Sequence, residues 1–240
     1  MLLKKVISLK ELMGPSHRKA GQNIRNLALQ RRVKALTAMA SAALLIALPF
    51  LLQTLFQELL AQLPNSSSQA PSLLPIVYVF CLVASLGCLF NGLYWWRRAN
   101  HADQGAKGEE DIAEAIADLP AAGWTIEYGL RLGKGLGDID IVCLSPRNKT
   151  YVIDVKSHRG RVIADGQKLY RLMGSQKYAF EKDFLKQVMK QAFQVKQQKQ
   201  LKFVTPIIAF SDAKVQIKDK IQGVYVVEKS RLSYLLKKLG

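Results

Sequence analysis

Two short segments near the middle of the chain carry carboxylates and a lysine at a spacing suited to metal chemistry. Residues 137–142 read Gly-Asp-Ile-Asp-Ile-Val, and residues 151–156 read Tyr-Val-Ile-Asp-Val-Lys. Both alternate polar and apolar side chains, and a Ser-Pro-Arg-Asn turn separates them, which predicts an antiparallel hairpin. On the second strand, alternation places Asp154 and Lys156 on one face. On the first strand it places Asp140 on the face opposite Ile139 and Ile141.

Paired carboxylates beside a lysine are an arrangement that can bind a hard divalent cation and activate a water molecule. The alternative is a surface hairpin whose solvent-facing side simply carries charges. The Ile and Val that flank Asp140 and Asp154 are typical of central strands, so we favour a functional role for the charges. Asp138 shares a face with Asp140.

Charge is distributed unevenly along this chain of 240 residues, whose net charge is +17. The first 34 residues contain nine Lys and Arg against one acid, Glu11. Between residues 35 and 96 the only charged side chain is Glu58. The length of the chain suits one domain and one additional segment, and the nearly uncharged residues 35–96 are that segment.

Two apolar runs, residues 35–57 and 74–96, are each long enough to cross a bilayer as a helix. The second ends in Trp-Trp-Arg-Arg, which is typical of a helix end at a membrane–water interface. We therefore predict two transmembrane helices joined by an external loop, residues 58–73. A buried soluble hairpin would need more partner surface than this chain offers, and a cleavable signal peptide would need a shorter basic leader.

The orientation follows from the positive charges. The arm at residues 1–34 and the pair Arg97-Arg98 are basic, whereas residues 58–73 contain no Lys or Arg, so both termini are predicted to be cytoplasmic. The arm fits either an amphipathic helix lying on the lipid surface or a loosely ordered basic segment, and both remain open. The bilayer is thus a predicted partner, and the apolar helices also offer a surface for protein partners or a homo-oligomer.

After a linker at residues 97–104, residues 105–240 are predicted to form one α/β domain with a mixed sheet flanked by helices. The predicted order is a helix, a strand, the two hairpin strands, a further hairpin, a helix, two strands and a helix. The corresponding ranges are 105–119, 124–132, 137–142, 151–156, 160–171, 182–202, 204–210, 224–227 and 230–239.

Several short motifs in this domain occur together in an order that resembles the NERD (nuclease-related) domain. They are Gly-x-x-Gly-Glu at residues 105–109, the two hairpin segments, Gly-Arg-Val at 160–162, Asp-Gly at 165–166, Asp-Phe-Leu-Lys-Gln at 183–187, and the segment beginning at Pro206. The NERD domain is similar to the PD-(D/E)xK nucleases, so the resemblance implies a restriction-endonuclease-like fold. The sequence departs from the pattern at Asp154, where Glu is usual, at Ile141, where His is frequent, and at Asp183-Phe184, where Asn-Pro is expected.

The resemblance also implies a cofactor, Mg²⁺ or Mn²⁺, and a set of side chains that carry catalysis. That set is Glu109, Asp140, Asp154, Lys156 and Gln187. Asp140 and Asp154 would coordinate the metal, with the carbonyl of Val155 and the side chain of Glu109 as further ligands. Lys156 would orient or activate the attacking water, and Gln187 would contact substrate or water.

The function implied is a nuclease, anchored in the inner membrane of a bacterium, that hydrolyses nucleic acid, with DNA favoured over RNA. Basic residues near the site are candidates for phosphate contacts: Arg159, Arg161, Lys186 and Lys190. Two other functions remain open. The domain would either bind nucleic acid without cutting it, or serve as a membrane-anchored interaction module.

The predicted orientation can be tested with reporter fusions. A reporter that is active only in the cytoplasm should be active at Gly240 and inactive at Ser67, because only the external loop lacks Lys and Arg. An external C-terminus would contradict both the topology and a cytoplasmic nuclease.

Overall fold

The structure is a computed structural model that describes residues 19–61, 74–131 and 138–240. The described chain forms two compact units, residues 26–103 and residues 104–240 together with residues 19–25. Most of the predicted basic arm, the loop at 62–73 and the glycine-rich entry to the hairpin at 132–137 lie outside the described residues.

The first unit is built from two long helices, α1 (Gln22–Ala61) and α2 (Leu74–Ala115). They contain the predicted spans, and both are long and apolar enough by composition to cross a membrane. The prediction that residues 97–104 form a linker, with a new helix beginning at Gly105, was wrong. Residues 97–104 contain neither Gly nor Pro, so nothing in them ends the helix, and α2 continues through Gly105 and Gly108.

Small side chains line the contact between α1 and α2. Ala28, Ala35 and Ala42 are buried at a seven-residue spacing on α1. On α2, a Cβ added to Gly92 would lie 2.8 Å from the side chain of Met39, and the Ser85 hydroxyl donates a hydrogen bond of 3.0 Å to the carbonyl of Ala42. Small residues at this spacing allow two helix backbones to approach closely.

The second unit contains two sheets. Their strands are β1 (Thr125–Arg131), β2 (Asp138–Leu144), β3 (Thr150–Lys156), β4 (Gly160–Asp165), β5 (Lys168–Met173), β6 (Gln176–Ala179), β7 (Val204–Phe210), β8 (Ala213–Val215) and β9 (Tyr225–Glu228). One is a five-stranded mixed sheet in the order β1-β2-β3-β7-β9, and the other is a four-stranded sheet in the order β6-β5-β4-β8. Strands β1, β2 and β3 pair antiparallel, and β3, β7 and β9 pair parallel.

Helices cover both faces of the five-stranded sheet, as predicted. On one face Val152 and Ile208 pack with Val188 of α3 (Phe184–Gln198). On the other face Ile153 packs with Ile112 of α2 and with α4 (Lys229–Leu239). The predicted α/β architecture is therefore confirmed, and the hairpin of β2 and β3 lies in its middle.

The structure differs from the sequence prediction at short elements and at helix ends. Strands β6 and β8 were not predicted, because both are short and gain their partners from β5 and β4. Helix α3 begins later than predicted because Asp183 caps it: the Asp183 side chain accepts a hydrogen bond of 3.0 Å from the backbone N–H of Lys186.

A largely buried ion pair joins β1 to the end of α3. The Lys199 ammonium lies 3.0 Å from the Glu127 carboxylate, and the two side chains are 8% and 16% exposed. We predict that Glu127→Ala destabilises the domain by about 3–5 kcal/mol, because it leaves a buried lysine unpaired. Thermal melting of the full chain in detergent measures this. Asp212→Ala breaks the exposed pair with Arg159 and should change the melting temperature little, so equal effects of both variants would contradict the prediction.

Candidate metal and catalytic site

The hairpin register brings Asp140 and Asp154 together at the open end of β2 and β3. Ile141 and Ile153 are directly paired, and the two aspartates are the next residues toward that end. The Asp140 carboxylate accepts a hydrogen bond of 2.6 Å from the backbone N–H of Val155. The carboxylate of Asp140 therefore lies beside the peptide group that links Asp154 to Val155.

Asp154 is almost completely buried, with 1% of its surface exposed. Its Oδ1 atom accepts a hydrogen bond of 3.1 Å from the Gln187 side chain, which α3 presents to this face of the sheet. Its Oδ2 atom lies 2.7 Å from the Lys156 ammonium, yet no described residue donates a well-directed hydrogen bond to it. Lys156 also lies 4.7 Å from the ring centre of Phe184, a cation–π contact that fixes its position.

Glu109 enters the site from α2, on the opposite side of the sheet from α3. Gly108 allows the close approach, because a Cβ there would lie 2.8 Å from Ser157 and 3.0 Å from Ser211. Glu109 is 8% exposed, and one of its carboxylate oxygens accepts a hydrogen bond of 3.0 Å from the backbone N–H of Gly21.

The three carboxylates influence one another electrostatically. Burial, together with the charges of Asp138 and Asp154, raises the pKa of Glu109 to about 7, although the hydrogen bond from the Gly21 N–H opposes this shift. Burial and the charges of Asp154 and Glu109 raise the pKa of Asp140 well above its usual value. Burial also raises the pKa of Asp154, although Lys156 opposes the shift.

The oxygen atoms of these carboxylates are suitable ligands for a hard divalent cation. Carboxylate oxygens are the ligands that Mg²⁺ and Mn²⁺ prefer. The buried Oδ2 of Asp154 accepts no well-directed hydrogen bond from a described residue, so it can bind such an ion. Within the described ranges, however, no three His, Cys, Asp or Glu side chains already surround a common point as metal ligands. In this arrangement Lys156 and the N–H groups of Gly21 and Val155 offset part of the negative charge.

Asp138 has a structural role, as its neighbours show. Its carboxylate accepts a hydrogen bond of 2.9 Å from Asn23 and lies 3.3 Å from the Arg131 guanidinium. Gly21 and Asn23 were not predicted at the site, and no motif in the first 34 residues could have indicated them. Gln191 was also missed. It is buried one turn beyond Gln187, where its polar side chain opposes the rise in the pKa of Asp154.

The candidate phosphate-binding residues fall into two groups. Lys186 and Lys190 are exposed on α3, one turn apart, and neither forms an ion pair with any residue that the structure describes. Arg159 pairs with Asp212 at 2.9 Å, and Arg161 donates a hydrogen bond of 3.2 Å to the carbonyl of Gly174. Lys186 and Lys190 are therefore less compensated by neighbouring acceptor groups than Arg159 and Arg161 are.

Two departures from the family pattern also have structural explanations. Ile141, at the position where His is frequent, is fully buried in the core between the sheet and α2. Asp183 serves as the N-cap of α3. At neither position, therefore, is the family's usual side chain present to contact a substrate.

Comparison with known protein families identifies the central part of the chain. Residues 104–211 match the family described as nuclease-related domain, NERD. The matched range includes all five side chains of the candidate site. No match was found among curated proteins or among solved structures.

The raised pKa of Glu109 predicts a pH-dependent stability. In the folded chain this carboxyl binds its proton up to about pH 7, whereas its ordinary pKa is 4.5, so the metal-free fold loses stability as pH rises between those values. Glu109→Gln removes the ionisation. Its melting temperature relative to the wild type should therefore rise between about pH 5 and about pH 8.

Glu110→Gln is the matched control. The hydrogen bond from Arg25 lowers the pKa of Glu110, so this carboxylate stays ionised throughout that range, and the difference from the wild type should not change with pH. A pH-independent difference for Glu109→Gln would show that Glu109 does not titrate as described.

Proposed function

Because residues 104–211 form a nuclease-related domain of the NERD family, we propose that this protein hydrolyses phosphodiester bonds of nucleic acid with a divalent metal ion. One observation carries the proposal. Three carboxylates, of which Glu109 and Asp154 are buried and Asp140 is half-buried, interact with one another and with a largely buried lysine at one end of the central hairpin. Such mutual repulsion is costly unless a cation compensates it, and clustered raised pKa values are typical of functional sites.

The ligands of Mg²⁺ or Mn²⁺ would be Asp140, Asp154 and the carbonyl of Val155, with Glu109 as a direct or water-mediated ligand. When bound, the metal supplies charge neutralisation at the phosphate and a more acidic water molecule. The chain itself holds the ligands in place. The Val155 N–H fixes Asp140, and Gln187 fixes one oxygen of Asp154.

Lys156 would orient the attacking water or stabilise the negative charge that develops on the phosphate. Its side chain is only 14% exposed, and it is held between Asp154 and the ring of Phe184. A lysine restrained in this way loses little freedom when it meets a reacting group, which supports a catalytic role over a purely structural one.

The nucleic acid, with DNA favoured over RNA, would approach over α3. Lys186 and Lys190 are exposed there on the helix that also supplies Gln187, and Arg159 and Arg161 would extend the contact after partial release from their present partners. Positive charge of this kind binds phosphate groups largely without regard to sequence.

Helices α1 and α2 would anchor the domain in the inner membrane, with both termini in the cytoplasm. Large apolar side chains such as Leu44, Phe50, Phe80 and Phe90 are more than half exposed on these helices, as a lipid environment requires. The same surface would accommodate a homo-oligomer or a protein partner.

The proposed roles predict different effects of two substitutions. In the full chain in detergent, with Mg²⁺ or Mn²⁺, Asp154→Asn should abolish cleavage because a neutral amide is a poor ligand for a hard cation. Lys156→Ala should reduce the cleavage rate by about 100-fold or more while metal still binds. Gel assays with duplex DNA, single-stranded DNA and RNA, together with metal-binding measurements, separate the two effects.

Lys196→Ala, on an exposed part of α3, is the matched control and should cleave normally. Wild-type cleavage by Lys156→Ala would contradict the catalytic role of the lysine. Binding of nucleic acid without cleavage by the wild-type chain would instead select a module that binds without cutting.

The lysines on α3 predict how binding depends on salt. If both contact phosphates of duplex DNA, the double variant Lys186→Glu, Lys190→Glu should lower the slope of log affinity against log salt by about 0.9 per lost contact. Fluorescence anisotropy over a series of salt concentrations measures the slope. The charge-matched double variant Lys196→Glu, Lys238→Glu should leave it nearly unchanged, and equal slopes for both double variants would show that Lys186 and Lys190 make no specific phosphate contact.

A further inference from the structure

The segment at residues 19–25, which includes the first residues of α1, contacts the acids around the candidate site. The Gly21 N–H donates a hydrogen bond of 3.0 Å to Glu109, and the Asn23 side chain donates one of 2.9 Å to Asp138. The Arg25 guanidinium donates two hydrogen bonds, of 2.8 and 2.6 Å, to the two carboxylate oxygens of Glu110. Each of these acids lies more than 80 residues away in the sequence.

The contact is closely fitted at two glycines. Gly21 is buried and has a φ of +72°, and a Cβ there would lie 2.7 Å from the carbonyl oxygen of Ala106. Gly129 has a φ of +60°, and a Cβ there would lie 3.1 Å from the amide nitrogen of Asn23. A side chain at either position would push the segment away from the helix and strand against which it packs.

The hydrogen bond from Gly21 has a consequence for Glu109. It occupies one carboxylate oxygen and thereby restricts the side chain to one orientation, while the second oxygen remains for a metal ion or its water. Groups that orient a metal ligand in this way influence metal affinity strongly, although they do not touch the metal. The donor lies outside residues 104–211, the range that matches the nuclease-related domain.

We propose that residues 19–25 are a working part of the nuclease site, in which Gly21 and Asn23 are positioning residues for Glu109 and Asp138. The proposal rests on the proposed metal-dependent function of that site. It means that the sequence before the first apolar run, residues 35–57, and the sequence after the second, residues 74–96, build one site together. A domain cut off before Gly105 would have the predicted ligands but would lack the group that orients Glu109.

The test compares two glycine substitutions in the full chain in detergent. Gly21→Ala introduces both backbone strain and a clash with Ala106, whereas Gly174→Ala introduces strain at a similar φ, +61°, with nothing within 4 Å of the added Cβ. We expect Gly21→Ala to raise the Mn²⁺ concentration for half-maximal cleavage by about tenfold or more. The rate at saturating Mn²⁺ should change much less, and Gly174→Ala should match the wild type in both quantities.

Hydrogen exchange tests the docking of the segment without any cleavage. The peptide that contains Gly21 should be protected in the wild type and should exchange faster in Gly21→Ala and in Glu109→Ala. Asn23→Ala, with Asn26→Ala as an exposed control, provides a milder pair if Gly21→Ala does not fold. Asn23→Ala should also raise the Mn²⁺ concentration for half-maximal cleavage, and Asn26→Ala should not.

The outcomes separate this proposal from the proposed function. An unchanged Mn²⁺ dependence in a variant whose segment is released would overturn the positioning role, and so would faster cleavage, which would make the segment an inhibitor. If even the wild type does not cleave, the nuclease function fails. Calorimetric Mn²⁺ affinities of the wild type and Gly21→Ala then decide the positioning role, and equal affinities or a lack of binding would overturn it.

Discussion

Electrostatic repulsion among three clustered carboxylates, two of them buried, is the constraint on which the rest of this domain depends. Glu109, Asp140 and Asp154 are brought together where little water can screen them, and burial raises the pKa of each. A fold does not retain such a cluster without compensation. Here Lys156 and hydrogen bonds from Gln187 and from two backbone N–H groups supply part of it. We propose that a divalent cation supplies the remainder.

The architecture explains how three distant parts of the chain meet at this point. Strand β3 pairs antiparallel with β2 and parallel with β7, so it occupies the middle of the five-stranded sheet. Asp154 faces α3, which supplies Gln187, while α2 delivers Glu109 from the other side. Close packing at Gly108 sets the distance between α2 and the strand ends. The site is thus defined by the sheet and by both of its helical layers.

Local patterns in the sequence predicted the parts of this site that lie within single elements. Period-two alternation predicted the hairpin and placed Asp154 and Lys156 on one face, and the structure has them 2.7 Å apart. Features that depend on distant contacts could not be predicted. Gly105 suggested the start of a new helix, whereas α2 continues past this residue. The local sequence does not show that tertiary packing keeps Gly105 helical. The Gly21 contact with Glu109 joins residues 88 positions apart, and no periodicity indicates it.

Direct binding of Mn²⁺ to the full chain in detergent tests the central claim most closely, because it does not require that a suitable nucleic acid be found. Isothermal titration calorimetry of the metal-free chain at about pH 8 should show bound Mn²⁺ that is lost in Asp154→Asn. Asp212→Asn, which changes an exposed aspartate paired with Arg159, should bind as the wild type does. Absence of binding to the wild type, or equal binding by the wild type and Asp154→Asn, would contradict the assignment of these carboxylates as a metal site.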